Sequence, residues 1–154
     1  LAELEACGRL KAVITQNIDG LHQAAGSKKV LELHGSVLRN YCQKCGKFYE
    51  VQAILQSQGI PRCACGGIIK PDVVLYEESL NEAVLEEAMR CIAQADMLMI
   101  GGTSLAVYPA AGLIYGYHGR RLVLINRDPT PHDQKADLLI PGKIGEILSQ
   151  IKTA

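Results

Sequence analysis

The chain has 154 residues, 48% of them apolar, enough for one ordinary domain with a real core and room for a small appended module. Lysine plus arginine and aspartate plus glutamate each number 16, so the net charge is zero and nothing suggests a nucleic-acid footprint. No apolar run approaches membrane-spanning length, and the first eight residues lack the basic start and long apolar centre of a signal peptide.

The chain opens without methionine, inside a helical pattern that stops at Gly8, and is expected to lack an N-terminal part. Lys11 to Ile14 reads as a buried strand. It runs into Thr15-Gln16-Asn17-Ile18-Asp19-Gly20-Leu21-His22. Gln16, Asn17 and Asp19 offer amide donors, amide acceptors and a carboxylate at the end of a strand, where open α/β sheets bind ligands. Such a set suits a ligand with a carboxamide and hydroxyls. A polar β-turn satisfying its own backbone is the competing interpretation. Val30 to Leu33 reads as a second short strand that delivers His34 to a loop before Gly35. An imidazole there suits a general base, although a lone His-Gly is commonly structural.

Six cysteines are present, and four of them lie at Cys42, Cys45, Cys63 and Cys65. Cys7 and Cys91 stand alone in helical patterns and read as small buried hydrophobes. The four grouped thiols suit a tetrahedral, structural Zn²⁺ rather than disulfides, and imply a reducing compartment. The tighter Cys63-Ala64-Cys65 spacing is less diagnostic than Cys42-Gln43-Lys44-Cys45. Tyr49 to Gln58 between them reads as a short helix. A module this small buries little core, so metal supplies much of its folding free energy.

Pro71 introduces an extended apolar run whose exit, Leu75 to Glu78, is a loop or an exposed edge able to pair with a peptide; an ordinary core strand fits the pattern equally well. Ser79 to Glu82 resembles a capping box. It opens a helix to about Ala95 with Val84, Leu85, Ala88, Met89 and Ile92 as its core stripe. Met97 to Ile100 is expected to be a fully buried strand, followed by Gly101-Gly102-Thr103-Ser104-Leu105. A helix from Pro109 to about Tyr117 and a buried strand Leu122 to Ile125 ending at Asn126 complete a parallel β-α-β unit. Asp137 to Ile140 and Gly145 to Ile151 read as a last strand and helix. The unit resembles half of a dinucleotide-binding sheet, with Thr103, Ser104 and Asn126 placed to meet ribose or phosphate, though it lacks G-x-G-x-x-G.

Taken together these residues resemble the sirtuin family of NAD-dependent protein lysine deacylases, in its bacterial form. The matching pieces are Thr15 to His22, His34-Gly35, the four cysteines, Pro71 to Tyr76, Gly102 to Leu105 with Val107 and Pro109-Ala110, and Leu124 to Asn126, in family order. The resemblance implies an α/β fold: a Rossmann-like parallel sheet with helices on both faces (residues 1–36 and 71–154), plus a small zinc-ribbon module (37–70). It implies NAD and one structural zinc ion as cofactors, and an acyl-lysine protein or peptide as substrate. Carried over, His34 is the catalytic base. Gln16, Asn17 and Asp19 serve the nicotinamide and ribose end of NAD. Gly102, Thr103, Ser104, Asn126 and Arg127 serve its adenosine side. Val74 and Tyr76 meet the substrate, and Cys42, Cys45, Cys63 and Cys65 hold zinc.

The implied reaction joins the acyl oxygen to the ribose anomeric carbon as nicotinamide leaves. It ends in lysine, nicotinamide and O-acyl-ADP-ribose. Mono-ADP-ribosyl transfer, removal of longer acyl groups, and a non-catalytic NAD- or peptide-binding fragment are the alternatives. The resemblance leaves two departures. Tyr76-Glu77-Glu78 stands where the family carries Phe-Gly-Glu, which restricts the backbone and adds charge near the peptide groove. The family's N-terminal Gly-Ala-Gly loop, first strand and helix, and Arg-containing cofactor loop have no counterpart. This chain by itself is therefore expected to be weakly active or inactive, with an open sheet edge or face that could drive self-association. Cytoplasmic location, with no nucleic-acid or membrane partner, completes the expectation.

Overall fold

A computed structural model describes residues 1–152. Its contacts divide the chain into two units, Leu1–Ala12 with Leu85–Ala154, and Val13–Val84. Helix α1 (Ala2–Ala6) precedes Gly8, whose φ of +75° suits a helix stop.

Within Val13–Val84, β1 (Val13–Thr15) and β2 (Val30–Glu32) pair in parallel, with Thr15 opposite Glu32. Helix α2 (Leu21–Ala24) lies between them in sequence and follows Gly20, which adopts φ +70°. The chain then turns at Leu33-His34 into the eight-residue β3 (Gly35–Cys42), the centre of an antiparallel sheet ordered β4-β3-β5. The helix expected over Tyr49 to Gln58 is shorter. Phe48–Glu50 instead forms β4, paired with Arg39–Tyr41, and only Val51–Leu55 is helical (α3). The aromatic residues Phe48 and Tyr49 favour a pleated surface, and pairing with β3 overrides local helix preference. Among the described residues strand β5 (Ile69–Val73) pairs only with β3, so it is an edge strand, where Pro71 is tolerated.

The other unit carries most of helix α4 (Glu82–Ala93). Its cap is Asn81 rather than Ser79: the Val84 N–H donates to Asn81 Oδ1 at 3.1 Å. Ala88 and Ile92 are buried as expected, but Met89 is exposed. Strands β6 (Leu98–Gly101), β7 (Leu122–Asn126) and β8 (Leu138–Pro141) form a parallel sheet in that order, which makes this an α/β unit of the expected kind. Every residue of β7 is buried because it is central. Strand β6 is half-buried, with Met99 and the preceding Met97 exposed, because only β7 pairs with it among the described residues. Leu105, Ile114, Leu122 and Leu124 make the core, flanked by Leu98, Ile100 and Tyr117.

Between β6 and β7 the chain forms a 3-10 helix, Ala110–Gly116, where an α-helix was expected. Gly112 and Gly116 lower helix propensity across those seven residues. Helix α5 (Ile144–Leu148) closes the unit. Among the described residues no helix is long and apolar enough to cross a membrane.

His132 is buried, with its ring edge-on to Tyr115 at a centroid distance of 5.7 Å. Its Nδ1 has no hydrogen-bond partner among the described residues. An unpaired buried polar atom costs about 1–3 kcal/mol. Replacing His132 with Phe keeps the aromatic contact and removes that atom. The substitution is expected to raise the melting temperature by about 2–4 °C for each kcal/mol relieved, and a calorimetric scan showing a fall would refute the account.

Candidate active site and metal centre

The β1–β2 pairing brings the amide-and-carboxylate turn beside the imidazole. Leu33 N–H donates to the Thr15 carbonyl at 2.9 Å, and Val37 N–H donates to that of Ile18 at 3.0 Å. These bonds run the segments 15–18 and 33–37 side by side. His34 Nδ1 lies 3.0 Å from the Gln16 carbonyl oxygen. A carbonyl can only accept, so Nδ1 carries the proton and Nε2 keeps its lone pair. The sequence marks His34 and Gln16 as candidates, but gives no sign that the Gln16 backbone orients the imidazole.

The turn itself is locally braced. Asn17 N–H donates to Thr15 Oγ1 at 3.0 Å, and Leu21 N–H to Asp19 Oδ1 at 3.0 Å. This is the self-satisfying turn that the sequence allows, and the side chains of Asn17 and Asp19 remain exposed. Local bracing and ligand binding are compatible here, because a carboxylate has further acceptor sites.

Two features hold His34 in place. Gly35 has φ +75°, and a Cβ there would collide with the carbonyl oxygen of Asp72, so β5 can approach only a glycine. Arg39 on β3 donates through Nε to Asp72 on β5 at 2.9 Å and through Nη1 to Glu32 on β2 at 2.6 Å. The Glu32 side chain is only 7% exposed, so one guanidinium staples three strands around the His34 turn. Sequence reading passed over Arg39, since a lone charge in an alternating stretch carries no signal of its partners.

The segment after β5 starts at this same turn: Val74 N–H donates to the His34 carbonyl at 3.1 Å. Val74 is half-buried, while Leu75 and Tyr76 are exposed. Glu77 takes φ +70°, a left-handed conformation that favours glycine.

The four cysteines converge. Their sulfur atoms all lie within 4.8 Å of one another, with Cys42–Cys65 at 3.4 Å and Cys45–Cys63 at 3.6 Å. Bonds of about 2.3 Å to a tetrahedral Zn²⁺ place sulfurs about 3.8 Å apart, so the cluster is close to the required size. Its electrostatics also ask for a cation. The Cys65 backbone amide, then the Tyr49 hydroxyl, pull the Cys63 thiol down to about 6. The Gly67 amide favours the Cys65 thiolate, but bonds from Cys42, Cys45 and Cys63 outweigh it and push that thiol up to about 12. Four thiolates cannot ionise together at this range without a divalent ion between them. The supporting core is small: Cys42, Cys63 and Ile69, with Tyr49 and Ile54 packed against them.

In the other unit, Asn126 at the end of β7 brackets the glycine loop. Thr103 N–H donates to its Oδ1 at 3.1 Å, and its Nδ2 donates to the Thr103 carbonyl at 2.7 Å. The buried amide thus fixes the loop Gly102-Thr103-Ser104 above the sheet. Arg127 is exposed and paired with Asp128.

A model of the Sir2 family matches residues 1–109. The chain belongs to the Sir2 family. The Sir2-family relative from Clostridium perfringens, named an NAD-dependent protein deacetylase, is 61% identical over 153 residues, which cover 98% of this chain and 63% of that protein. One from Clostridium acetobutylicum with the same name is 54% identical, over 98% of this chain and 62% of the relative. The Sir2 chain thus spans less than two thirds of the length of these relatives. Among solved structures, a Sir2 complex with p53 peptide and NAD+ matches at a TM-score of 0.90 and 42% identity, covering 97% of this chain and 65% of that one. A Sir2 structure bound to acetylated peptide matches at 0.89 and 41%, covering 97% and 65%. The Rossmann-like α/β fold is therefore that of Sir2 proteins, and the four cysteines are positioned for one zinc ion.

Zinc removal tests the metal centre directly. A strong chelator is expected to release one zinc per chain and to abolish hydrogen-exchange protection in β3 to β5, while protection in β7 survives. Undiminished protection of β3 to β5 in the metal-free protein would show that the thiols contribute no folding energy.

Proposed function

We propose that this protein is an NAD-dependent protein lysine deacetylase, converting acyl-lysine, NAD and water to lysine, nicotinamide and O-acyl-ADP-ribose. The observation that carries the reading is the His34 Nδ1–Gln16 carbonyl bond, which leaves a basic Nε2 beside the turn bearing Asn17 and Asp19. NAD supplies an anomeric carbon with nicotinamide as its leaving group. Gln16, Asn17 and Asp19 bind that end: an amide side chain orients the carboxamide, and the Asp19 carboxylate favours positive character developing on the sugar. His34 Nε2 accepts a proton from a ribose hydroxyl. Gly102, Thr103, Ser104, Asn126 and Arg127 bind the adenosine end, with Asn126 holding the loop. Val74 and Tyr76 pair with the acyl-lysine peptide. Cys42, Cys45, Cys63 and Cys65 bind a structural zinc that has no open position for catalysis. In this reading residues 37–70 are the zinc module, and 1–36 with 71–154 form the NAD-binding domain. A cytoplasmic setting keeps the four thiols reduced for metal.

The test measures nicotinamide release and peptide deacylation in the full-length protein with NAD and several acyl-lysine peptides. His34→Ala is expected to cut turnover by about 10²–10⁴-fold with zinc content unchanged. Turnover that survives this substitution would remove His34 from the chemistry, and ADP-ribosylated product without deacylation would favour the transferase alternative.

The edge of β6 that no strand pairs with among the described residues, with Met97 and Met99 exposed, supports a further part of the reading: this chain self-associates through that edge. Sedimentation velocity is expected to show a mass that rises with concentration, and Met99→Lys to suppress the rise. A single monomeric species at all concentrations would count against it.

A further inference from the structure

Lys70 and Glu78 form a compact knot at the base of the segment that leaves β5. Lys70 Nζ donates to the Val73 carbonyl at 2.9 Å and to Glu78 Oε2 at 3.0 Å. The same Oε2 accepts the Leu75 N–H at 2.9 Å, and Glu78 N–H donates to the Leu75 carbonyl at 3.1 Å. One ammonium and one carboxylate therefore hold the Val73 carbonyl and the Leu75 amide, and a backbone bond closes the turn from Leu75 to Glu78. The other fixed point is Val74 N–H, bonded to the His34 carbonyl.

Between these anchors the chain is forced into a costly shape. Glu77 sits at φ +70°, a left-handed conformation that disfavours any side chain. Such a conformation persists only when its surroundings over-determine it. The contacts that do so here are those of Lys70 and Glu78. The Glu78 carboxylate is held below its ordinary range by the Leu75 amide first and Lys70 second, as a shared, charge-assisted acceptor should be.

We propose that Lys70 and Glu78 are positioning residues that hold Val74 to Glu77 in the conformation that pairs with the acyl-lysine peptide; the proposal rests on the reading of Val74 and Tyr76 as substrate contacts. The pair differs from an ordinary surface salt bridge, which contributes little, because its oxygen is spent on the Leu75 amide. Charge alone cannot replace it: a swapped pair, Lys70→Glu with Glu78→Lys, offers no acceptor to Leu75 and no donor to Val73. An arginine at 70 retains both donors.

The test compares Lys70→Met, Glu78→Met, Lys70→Arg and the swapped double variant in the full-length protein, with zinc content as the control for folding. Two readouts are needed: amide exchange at Leu75, and affinity for a fluorescent acetyl-lysine peptide. The two methionine variants and the swap are expected to speed Leu75 exchange about tenfold and to weaken peptide binding about fivefold or more, the scale of one hydrogen bond. Lys70→Arg is expected to stay within about twofold of the parent. Unchanged Leu75 exchange in the methionine variants would overturn the clamp and leave the deacetylase reading standing. Faster exchange with unchanged peptide affinity would overturn the positioning role. Rescue by the swap would reduce the knot to a simple ion pair and overturn the proposal. Failure of the parent protein to bind acetyl-lysine peptide would remove the reading beneath it, and the proposal with it.

Discussion

The candidate chemistry depends on one hydrogen bond, from His34 Nδ1–H to the Gln16 carbonyl. It fixes which ring nitrogen is protonated, and so which can act as a base. It also fixes where the ring stands relative to Asn17 and Asp19. The bond exists because β1 and β2 run parallel in a register that sets Thr15 beside Glu32. A shift of one residue would carry His34 to the other face. The short strands are therefore as consequential for function as the polar residues they deliver.

The charges of this neutral chain act at short range. Arg39 joins Glu32 and Asp72, Lys70 joins Glu78, and each pair touches a strand end or a turn next to His34. Their value lies less in Coulomb energy, which water and salt screen, than in direction. A guanidinium forked between two carboxylates sets the spacing of three strands, and a carboxylate shared by an ammonium and an amide sets the shape of a loop. Gly35 adds the complementary steric condition, since only its missing side chain admits the Asp72 carbonyl.

The cysteine cluster works on a different principle. A core of Cys42, Cys63 and Ile69 is too small to repay the entropy of ordering β3 to β5. Bringing four thiols within 4.8 Å adds electrostatic cost unless a cation compensates. A zinc ion held by these four thiols would serve stability, and four thiolates would leave it no open position for catalysis.

Much of this was legible in the residues themselves. The apolar run Leu122 to Ile125 announced a central strand. The cysteine spacing announced a metal centre, because that signal is local in sequence. Gln16, Asn17, Asp19 and His34 marked only a candidate ligand site, since a self-satisfied turn and a structural histidine fitted the same residues. What depends on distant partners was not legible. Met97 and Met99 read as core but lie exposed, since a strand's burial depends on its neighbours. Tyr49 and Glu50 read as the start of a helix but pair with β3, because tertiary hydrogen bonds outweigh local propensity. The Gln16 carbonyl and the Arg39 staple leave no trace in one dimension. Residue chemistry determined which reactive groups this protein carries; only the folded register decided which of them meet, because a hydrogen bond requires two groups within about 3 Å and sequence distance says nothing of that.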